Sequence, residues 1–439
     1  MLDTVDEFTH AHGHVRHAHV HDRAHRHLRY PQRSDGPAPG PLSNRTYRRL
    51  FAAQVIALVG TGVTTVALGL LAFDLAGANA GAVLGAALAL KMVAYVGLSP
   101  VIAAFAHRVD RRWLLIALDV IRAAVLFCLP FVDAVWQVFV LIFVVNACAA
   151  GFTPAFQATI PDVLPDEEQY TKALSLSRLA YDLGELLSPA VAALFLLAVD
   201  FQALFAINGV AFVVSAVLVM SIRLPTRVGV GAVSDRTWER ITLGARRFLA
   251  VPRLRGLLAL NLAVACASAM TIVNSVVLVR EQFHLGASDV AVALGAAGAG
   301  SMVTALALPR LLTRVSDRSV MLAGGSVLAL GLPLVAVLPS FAALLALWFV
   351  LGMGLSAVQT PSGRLIQRSG DSSELPALFA AQFALSHLCW LLTYPIAGVL
   401  GSVIGVDSVA LILAAIAATA VGVAALAWRR PGTPARAYA

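Results

Sequence analysis

Apolar runs of roughly 20 residues, each followed by a short polar break, recur about twelve times between Leu50 and Trp428. A helix needs about 20 such residues to cross the hydrocarbon core of a bilayer. With 59% of its 439 residues hydrophobic and 13% charged, the chain lacks the polar residues to clothe a water-soluble domain. Lipid is the solvent it is built for. The expected fold is an all-α membrane protein with twelve transmembrane helices, at about 50–73, 82–105, 113–130, 135–155, 172–198, 203–222, 256–279, 289–309, 320–338, 341–360, 376–401 and 408–428.

Arginines crowd every second connection: Arg45, Arg48 and Arg49, then Arg108, Arg111 and Arg112, then the stretch from Arg223 to Arg255, then Arg310, Arg314 and Arg318, then Arg364 and Arg368, and last Arg429 and Arg430. The alternate connections are nearly free of positive charge. By the positive-inside rule both termini face the cytoplasm, in a multi-pass protein of the inner, cytoplasmic membrane. The connection after the fourth span, with Asp162, Asp166, Glu167 and Glu168 against Lys172, departs from the pattern; acidic residues count little in that rule. The formal charge of +8 follows from loops facing an anionic leaflet, so the expected partner is the lipid bilayer and not nucleic acid. Cys128, Cys148, Cys266 and Cys389 all fall within apolar runs and suggest neither a disulfide framework nor a zinc knuckle.

Landmarks of the first half return 206 positions later. Arg49 matches Arg255, Arg108 and Arg112 match Arg314 and Arg318, and Pro189 matches Pro395. Such self-similarity marks an internal duplication. The expected organisation is a His-rich cytoplasmic tail (1–45), a six-helix bundle (46–222), a basic cytoplasmic linker with a helix-like run from Thr237 to Phe248 (223–255), a second, pseudo-symmetric six-helix bundle (256–430) and a short tail (431–439), the layout of a two-bundle transporter.

The run Ala106-His107-Arg108-Val109-Asp110-Arg111-Arg112 resembles the loop motif GxxxDRxGRR of the major facilitator superfamily, and the resemblance extends over about 45–430. Arg108, Arg111 and Arg112 fit the motif. Ala103, His107 and Asp110 stand where the family has glycine, aspartate and glycine. The resemblance implies the major facilitator fold and a charge latch at Arg108, Asp110, Arg111 and Arg112, with Asp119 or Asp110 replacing the missing aspartate. The segments GFTPAFQATIPDVLP (151–165), SLSRLAYDLGELLSP (175–189) and AAQFALSHLCWLLTYP (380–395) are similar to the bacterial branch of that superfamily that holds siderophore secretors and nickel or cobalt resistance proteins.

Ionisable groups at membrane depth need a partner or a watery cavity, because each costs about 2.5–3.5 kcal/mol to insert. Asp182 and Glu185 lie three apart in the fifth span, one turn after Arg178, so all three share a face. One reading is an internal Arg178–Asp182 ion pair with a protonated Glu185; the other is a site where a cation and protons compete for two repelling carboxylates. His387, opposite Tyr181 by the 206-residue offset, is either a soft metal ligand or an interhelical hydrogen-bonding group. Lys91 either neutralises Asp119 or Glu185 or forms a positive gate. Gln54, Asn146, Asn274, Met353 and Gln359, with Ser356, are candidate cavity residues, or else glue between helices.

Eight histidines, His10, His12, His14, His17, His19, His21, His25 and His27, precede the first span. Their spacing would let an unstructured chain wrap a transition metal; a pH-sensitive segment on anionic lipid and a neutral extension are the other readings. No phosphate-binding glycine loop with lysine occurs, so an ATP-driven pump is not expected; the expected protein is a transporter, with no enzymatic activity and no cofactor. The expected function is proton-coupled efflux of a divalent transition metal, nickel or cobalt, by a monomer. The alternative cargo is a drug-like molecule or siderophore.

Overall fold

In a computed structural model of the chain, the described residues are 40–76, 80–106, 109–224, 237–285, 287–371 and 373–429. They are helical with no β-strand among them. The helices are α1 (Arg45–Ala76), α2 (Ala80–Ala106), α3 (Arg111–Cys128), α4 (Val135–Val163), α5 (Glu167–Leu196), α6 (Phe201–Met220), α7 (Thr237–Ala250), α8 (Pro252–Val277), α9 (Ala287–Leu311), α10 (Asp317–Gly331), α11 (Phe341–Gln359), α12 (Ser362–Gln367), α13 (Leu375–Pro395), α14 (Gly401–Ile404) and α15 (Val406–Arg429). Among the described residues, nine helical stretches have the length and apolar composition to cross a bilayer. Every expected span coincides with a helix.

The helix starts follow from local chemistry. Asp110 accepts from the backbone N–H of Arg112 (2.9 Å) and opens α3; Asp166 accepts from Gln169 (2.8 Å) and opens α5. Glu167 and Glu168 then sit in the first turn of α5, where the helix dipole favours negative charge. Ser316 and Ser340 cap α10 and α11 in the same way. The fourth helix departs from expectation. It runs to Val163, eight residues past the predicted end, through both Pro154 and Pro161. Neighbouring helices can satisfy the backbone groups a proline frees, so the end of an apolar run need not be the end of a helix.

Buried apolar side chains form three clusters. One joins the feet of α1, α3, α4, α5 and α6 around Tyr47, Leu115, Phe156 and Tyr170, and a second joins the same five helices around Leu126, Phe205 and Phe212. The third, around Met270, Trp348, Leu351 and Leu413, belongs almost wholly to α8–α15. Helices of the first half (α1–α6) touch those of the second (α8–α15) along α2 with α13, α5 with α9, and α4 with α13. The helix expected in the linker is present as α7, packed on α2, α8 and α13; a Cβ added at Gly244 would strike the carbonyl oxygen of Ala377.

In the second half, helices approach backbone to backbone. A Cβ at Gly352 of α11 would meet the Ala297 carbonyl of α9, and one at Gly300 of α9 would meet the Phe349 carbonyl of α11. Small residues at such crossings let dispersion and weak hydrogen bonds act at short range in lipid, where no hydrophobic force joins helices.

Candidate functional site

The cap at Asp166 sets the register of α5, and three turns later Arg178 and Asp182 face the boundary between the halves. Arg178 Nη2 lies 2.6 Å from Asp182 Oδ1, with the aspartate side chain 4% exposed. The same guanidinium donates from Nε to Ser301 Oγ of α9 at 3.0 Å and from Nη1 to Gln359 Oε1 of α11. One arginine of the first half thus holds its own carboxylate and two polar groups of the second. The sequence reading included the Arg178–Asp182 pair and named Gln359 as a cavity residue; Ser301 carried no signal in an alanine- and glycine-rich run. The side chain of Glu185 lies outside the described residues.

Around this knot, Gln54 of α1 accepts from Ser177 Oγ at 3.2 Å. This bond joins α1 and α5. Asn146 donates to the Ile142 carbonyl of its own helix (2.8 Å), and Asn274 donates to Met270 Sδ and, across helices, to the Ala397 carbonyl at 3.2 Å. Both bond within the helix bundle, Asn274 as interhelical glue. Ser356 pairs with Thr360 at 3.2 Å, and Met353 is exposed.

His387 does not meet Tyr181 or Asp182. It lies in a file of rings along the α2–α13 contact, with centroids 4.7 Å from Tyr95, 4.2 Å from Phe383 and 4.9 Å from Trp390. Its Nδ1 is 2.7 Å from the Phe383 carbonyl. No group of three His, Cys, Asp or Glu side chains able to hold a metal occurs among the described residues, so the expected ligand role for His387 finds no companions there. Lys91 does not neutralise Asp119 either; its ammonium sits 5.5 Å from the Tyr95 ring centroid.

Asp119 is fully buried, bonded to Arg122 Nη2 at 2.6 Å and accepting from Ser215 Oγ at 2.7 Å. The Arg122 guanidinium is stacked between Phe152 and Phe212, 4.4 and 4.5 Å from their centroids. This cluster is internal to the first half, and the partners of Asp119 are Arg122 and Ser215, not the loop arginines Arg111 and Arg112. Arg122 went unremarked in the sequence, although opposite charges one turn apart in an apolar span are a readable sign.

At the arginine-rich end, Arg111 Nη1 pairs with Asp162 Oδ2 at 2.7 Å and also donates to the Ala158 carbonyl at 3.3 Å. The carboxylate that Arg111 holds is thus Asp162, supplied by the extension of α4, and not Asp110 or Asp119. Asp110 is a helix cap, Arg112 donates to the Met220 carbonyl, and Arg108 lies outside the described residues. A second network crosses between the halves. Glu167 of α5 binds Arg364 Nη2 at 2.5 Å and Arg368; Arg364 Nη1 donates to Thr171 Oγ1 at 2.8 Å; and Arg368 Nη1 pairs with Asp317 at 2.6 Å. Ser99 of α2 donates to the Ala380 carbonyl of α13 at 3.3 Å. The two halves are therefore bonded together from the arginine-rich end to the Arg178 knot. The eight tail histidines, His10 to His27, lie outside the described residues.

A sequence profile for the Major Facilitator Superfamily matches residues 50–314 and 257–438. Over 181 residues the chain is 29% identical to macrolide efflux protein A of Streptococcus pyogenes, covering 40% of this chain and 44% of that protein. The macrolide efflux protein A of Enterococcus faecalis is 32% identical over 152 residues, 32% of this chain and 47% of its own. The chain thus spans less than half the length of these curated relatives. Among solved structures, the human organic anion transporter MFSD10 (TETRAN) superposes with a TM-score of 0.74 at 12% identity, over 87% of this chain and 99% of that one. The transporter FucP in its outward conformation superposes with a TM-score of 0.66 at 14% identity, over 87% and 98%. Both likenesses are likenesses of fold.

Proposed function

This chain belongs to the Major Facilitator Superfamily, and on that premise we propose that it is a proton-coupled efflux transporter of a drug-like organic molecule. Residues 46–222 and 256–430 are the two rocking bundles, 223–255 is the linker, and the arginine-rich end faces the cytoplasm, with both termini on that side of the inner membrane. The bonds between halves at that end then belong to a state closed to the cytoplasm.

The observation that carries the reading is the triple engagement of Arg178 with Asp182, Ser301 and Gln359. A guanidinium in a low-dielectric interior is strongly destabilised when its carboxylate is neutralised. Protonating Asp182 therefore frees Arg178 to leave, and its bonds to the second half go with it. Proton binding and the link between bundles become one event, which is what an antiporter requires.

The named function of the relatives, macrolide efflux, supports an organic cargo over nickel or cobalt. The absence of a metal-holding cluster among the described residues gives the metal reading no structural support. The test is accumulation of erythromycin in a host stripped of its own efflux pumps, with nickel and cobalt tolerance measured in parallel. Expression of the chain lowers erythromycin accumulation, Asp182→Asn abolishes that effect, and metal tolerance does not change. Undiminished efflux by the Asp182→Asn protein would remove Asp182 from the coupling, and metal tolerance without drug efflux would restore the metal reading.

A further inference from the structure

The feet of α8 and α15 meet at the arginine-rich end. Trp428 of α15 donates from Nε1 to the Arg253 carbonyl of α8 at 3.0 Å, and a Cβ added at Gly256 would strike the same indole. Arg253, Arg255 and Arg429, all exposed, flank this contact in sequence. Residues 430–439 bring Arg430 and Arg436 and no Asp or Glu. The matching corner of the first half is tied down. There Arg49, the counterpart of Arg255, donates from Nη1 to the Ser221 carbonyl (2.6 Å) and hydroxyl (3.0 Å) at the end of α6. Ser221 corresponds to Ala427, which has no hydroxyl, and among the described residues the Arg255 guanidinium makes neither a hydrogen bond nor an ion pair. The second half keeps the arginine and lacks the tether.

On the bilayer side of Arg255 the two helices part into a groove of about 410 Å³. Ala259 and Leu262 of α8 form one wall, and Ala415, Thr419 and Val423 of α15 form the other. Arg255 precedes Ala259 by four residues and Leu262 by seven, so it lies on the same side of α8, about 6 and 10 Å along the axis from them. From Val423 to Ala415 the groove follows α15 for about 12 Å. Its one polar lining side chain, Thr419, donates its hydroxyl to the Ala415 carbonyl at 2.8 Å, which leaves the walls apolar. Leu411, Val423 and Leu426, each at least 50% exposed, make this the lipid-facing side of α15.

We propose that this groove and the arginines at its foot bind one anionic glycerophospholipid, with its phosphate and headgroup on Arg255 and Arg429 and an acyl chain between α8 and α15. Guanidinium matches phosphate in charge and in donor geometry. A basic pocket between helices at headgroup level is the arrangement that selects an anionic lipid from its neighbours. The apolar walls do not choose among lipids, since all carry similar tails; the arginines do. A second copy of the chain, inserted in the same orientation, would bring like charges to the foot of the groove, so charge favours the lipid. The site is independent of the cargo and of the coupling at Arg178.

The test is native mass spectrometry of the full chain in a neutral detergent, titrated with phosphatidylglycerol or with phosphatidylcholine of identical tails, and thermal unfolding of the same samples. Wild-type protein holds one phosphatidylglycerol about fivefold or more tighter than phosphatidylcholine, the scale of one guanidinium at an anionic surface, and gains the larger rise in unfolding temperature from it. Arg255→Gln removes most of that preference, Arg255→Lys keeps it, and Arg310→Gln, at the end of α9, leaves it unchanged. Thr419→Trp fills the groove and weakens both lipids several-fold. Equal affinity of the two lipids for wild-type protein overturns the site without needing any variant to fold. An Arg310→Gln protein as impaired as Arg255→Gln does so too, because the attraction would then belong to the whole arginine-rich end. So does a Thr419→Trp protein that binds both lipids as before, or a wild-type dimer that excludes lipid and is lost in Thr419→Trp.

Discussion

Arg111 at the start of α3 and Asp162 near the end of α4 are paired at 2.7 Å, and 206 positions later Asp317 and Arg368 are paired at 2.6 Å with the charges exchanged. The duplicated position keeps the bond and reverses its sign. The reversal has a consequence for the boundary between halves. With arginine at the later position, Arg368 can hold Asp317 of its own half and Glu167 of the other at once, an arrangement that an aspartate such as Asp162 could not make with the acidic first turn of α5.

Exchanging charge within the first pair tests whether it acts as an ion pair or through packing. Asp162→Arg alone places two cations together and lowers the unfolding temperature of the purified protein, at a cost of about 2–4 kcal/mol for a largely buried pair. Combining it with Arg111→Asp recovers most of that loss. A double variant no more stable than the worse single one would show that the geometry at this corner, and not charge complementarity, is what matters.

Glu167→Gln removes the negative charge shared by Arg364 and Arg368. The Glu167 side chain is 52% exposed, so the screened contribution is modest, about 1 kcal/mol. That is still several-fold in a two-state equilibrium. A cysteine introduced at the arginine-rich mouth should label several-fold faster with a membrane-impermeant maleimide in the Glu167→Gln background; unchanged labelling would mean that other contacts hold this end shut.

Asp119 and Arg122 are sealed in the first half, so breaking the pair and replacing it have opposite expectations. Asp119→Asn leaves Arg122 buried without a counter-charge, a loss of about 3–5 kcal/mol, whereas the double change Asp119→Leu with Arg122→Met comes within about 1 kcal/mol of the parent because the desolvation of both ions disappears. Thermal unfolding in detergent separates the cases. A double variant as unstable as Asp119→Asn would point to a role for the pair beyond mutual neutralisation.

Gly352→Val should be severely destabilising, by at least about 2 kcal/mol, because the new side chain must occupy the space of the Ala297 carbonyl, which is backbone and cannot swing away. Gly298, with nothing within 4 Å of its Cβ position, is the control, and Gly298→Ala should be neutral. Expression yield and unfolding temperature of the two variants decide the matter. Similar behaviour in both would contradict the close α9–α11 approach.

The candidate site was legible only in part. Asp182 and Arg178 stood out because charge is rare in an apolar span and their spacing places them on one helix face. Gln359 stood out as a polar group in an apolar run. Arg122 was overlooked although Asp119 beside it was noticed. Tyr95 and Trp390 were passed over because aromatic residues in a membrane helix are ordinary until their neighbours are known. Asp162 was read as part of a loop, since the apolar run ends before it while the helix does not.

Hydropathy by itself determined the solvent, the class of fold and the places of the long helices, because a bilayer has one thickness and a helix one rise per residue. The alternation of arginine among the connections likewise carried the expected orientation, through an electrostatic rule that acts on the chain as it inserts. Which helix faces which was left to the tertiary structure. The partners of Arg178, Lys91, Arg111 and Glu167 lie between 4 and about 200 residues away in sequence, and a side chain's energy in lipid depends on the single neighbour that completes its charge or its hydrogen bond. Periodicity records how often a residue returns to one side of its own helix and is silent about what waits on the other.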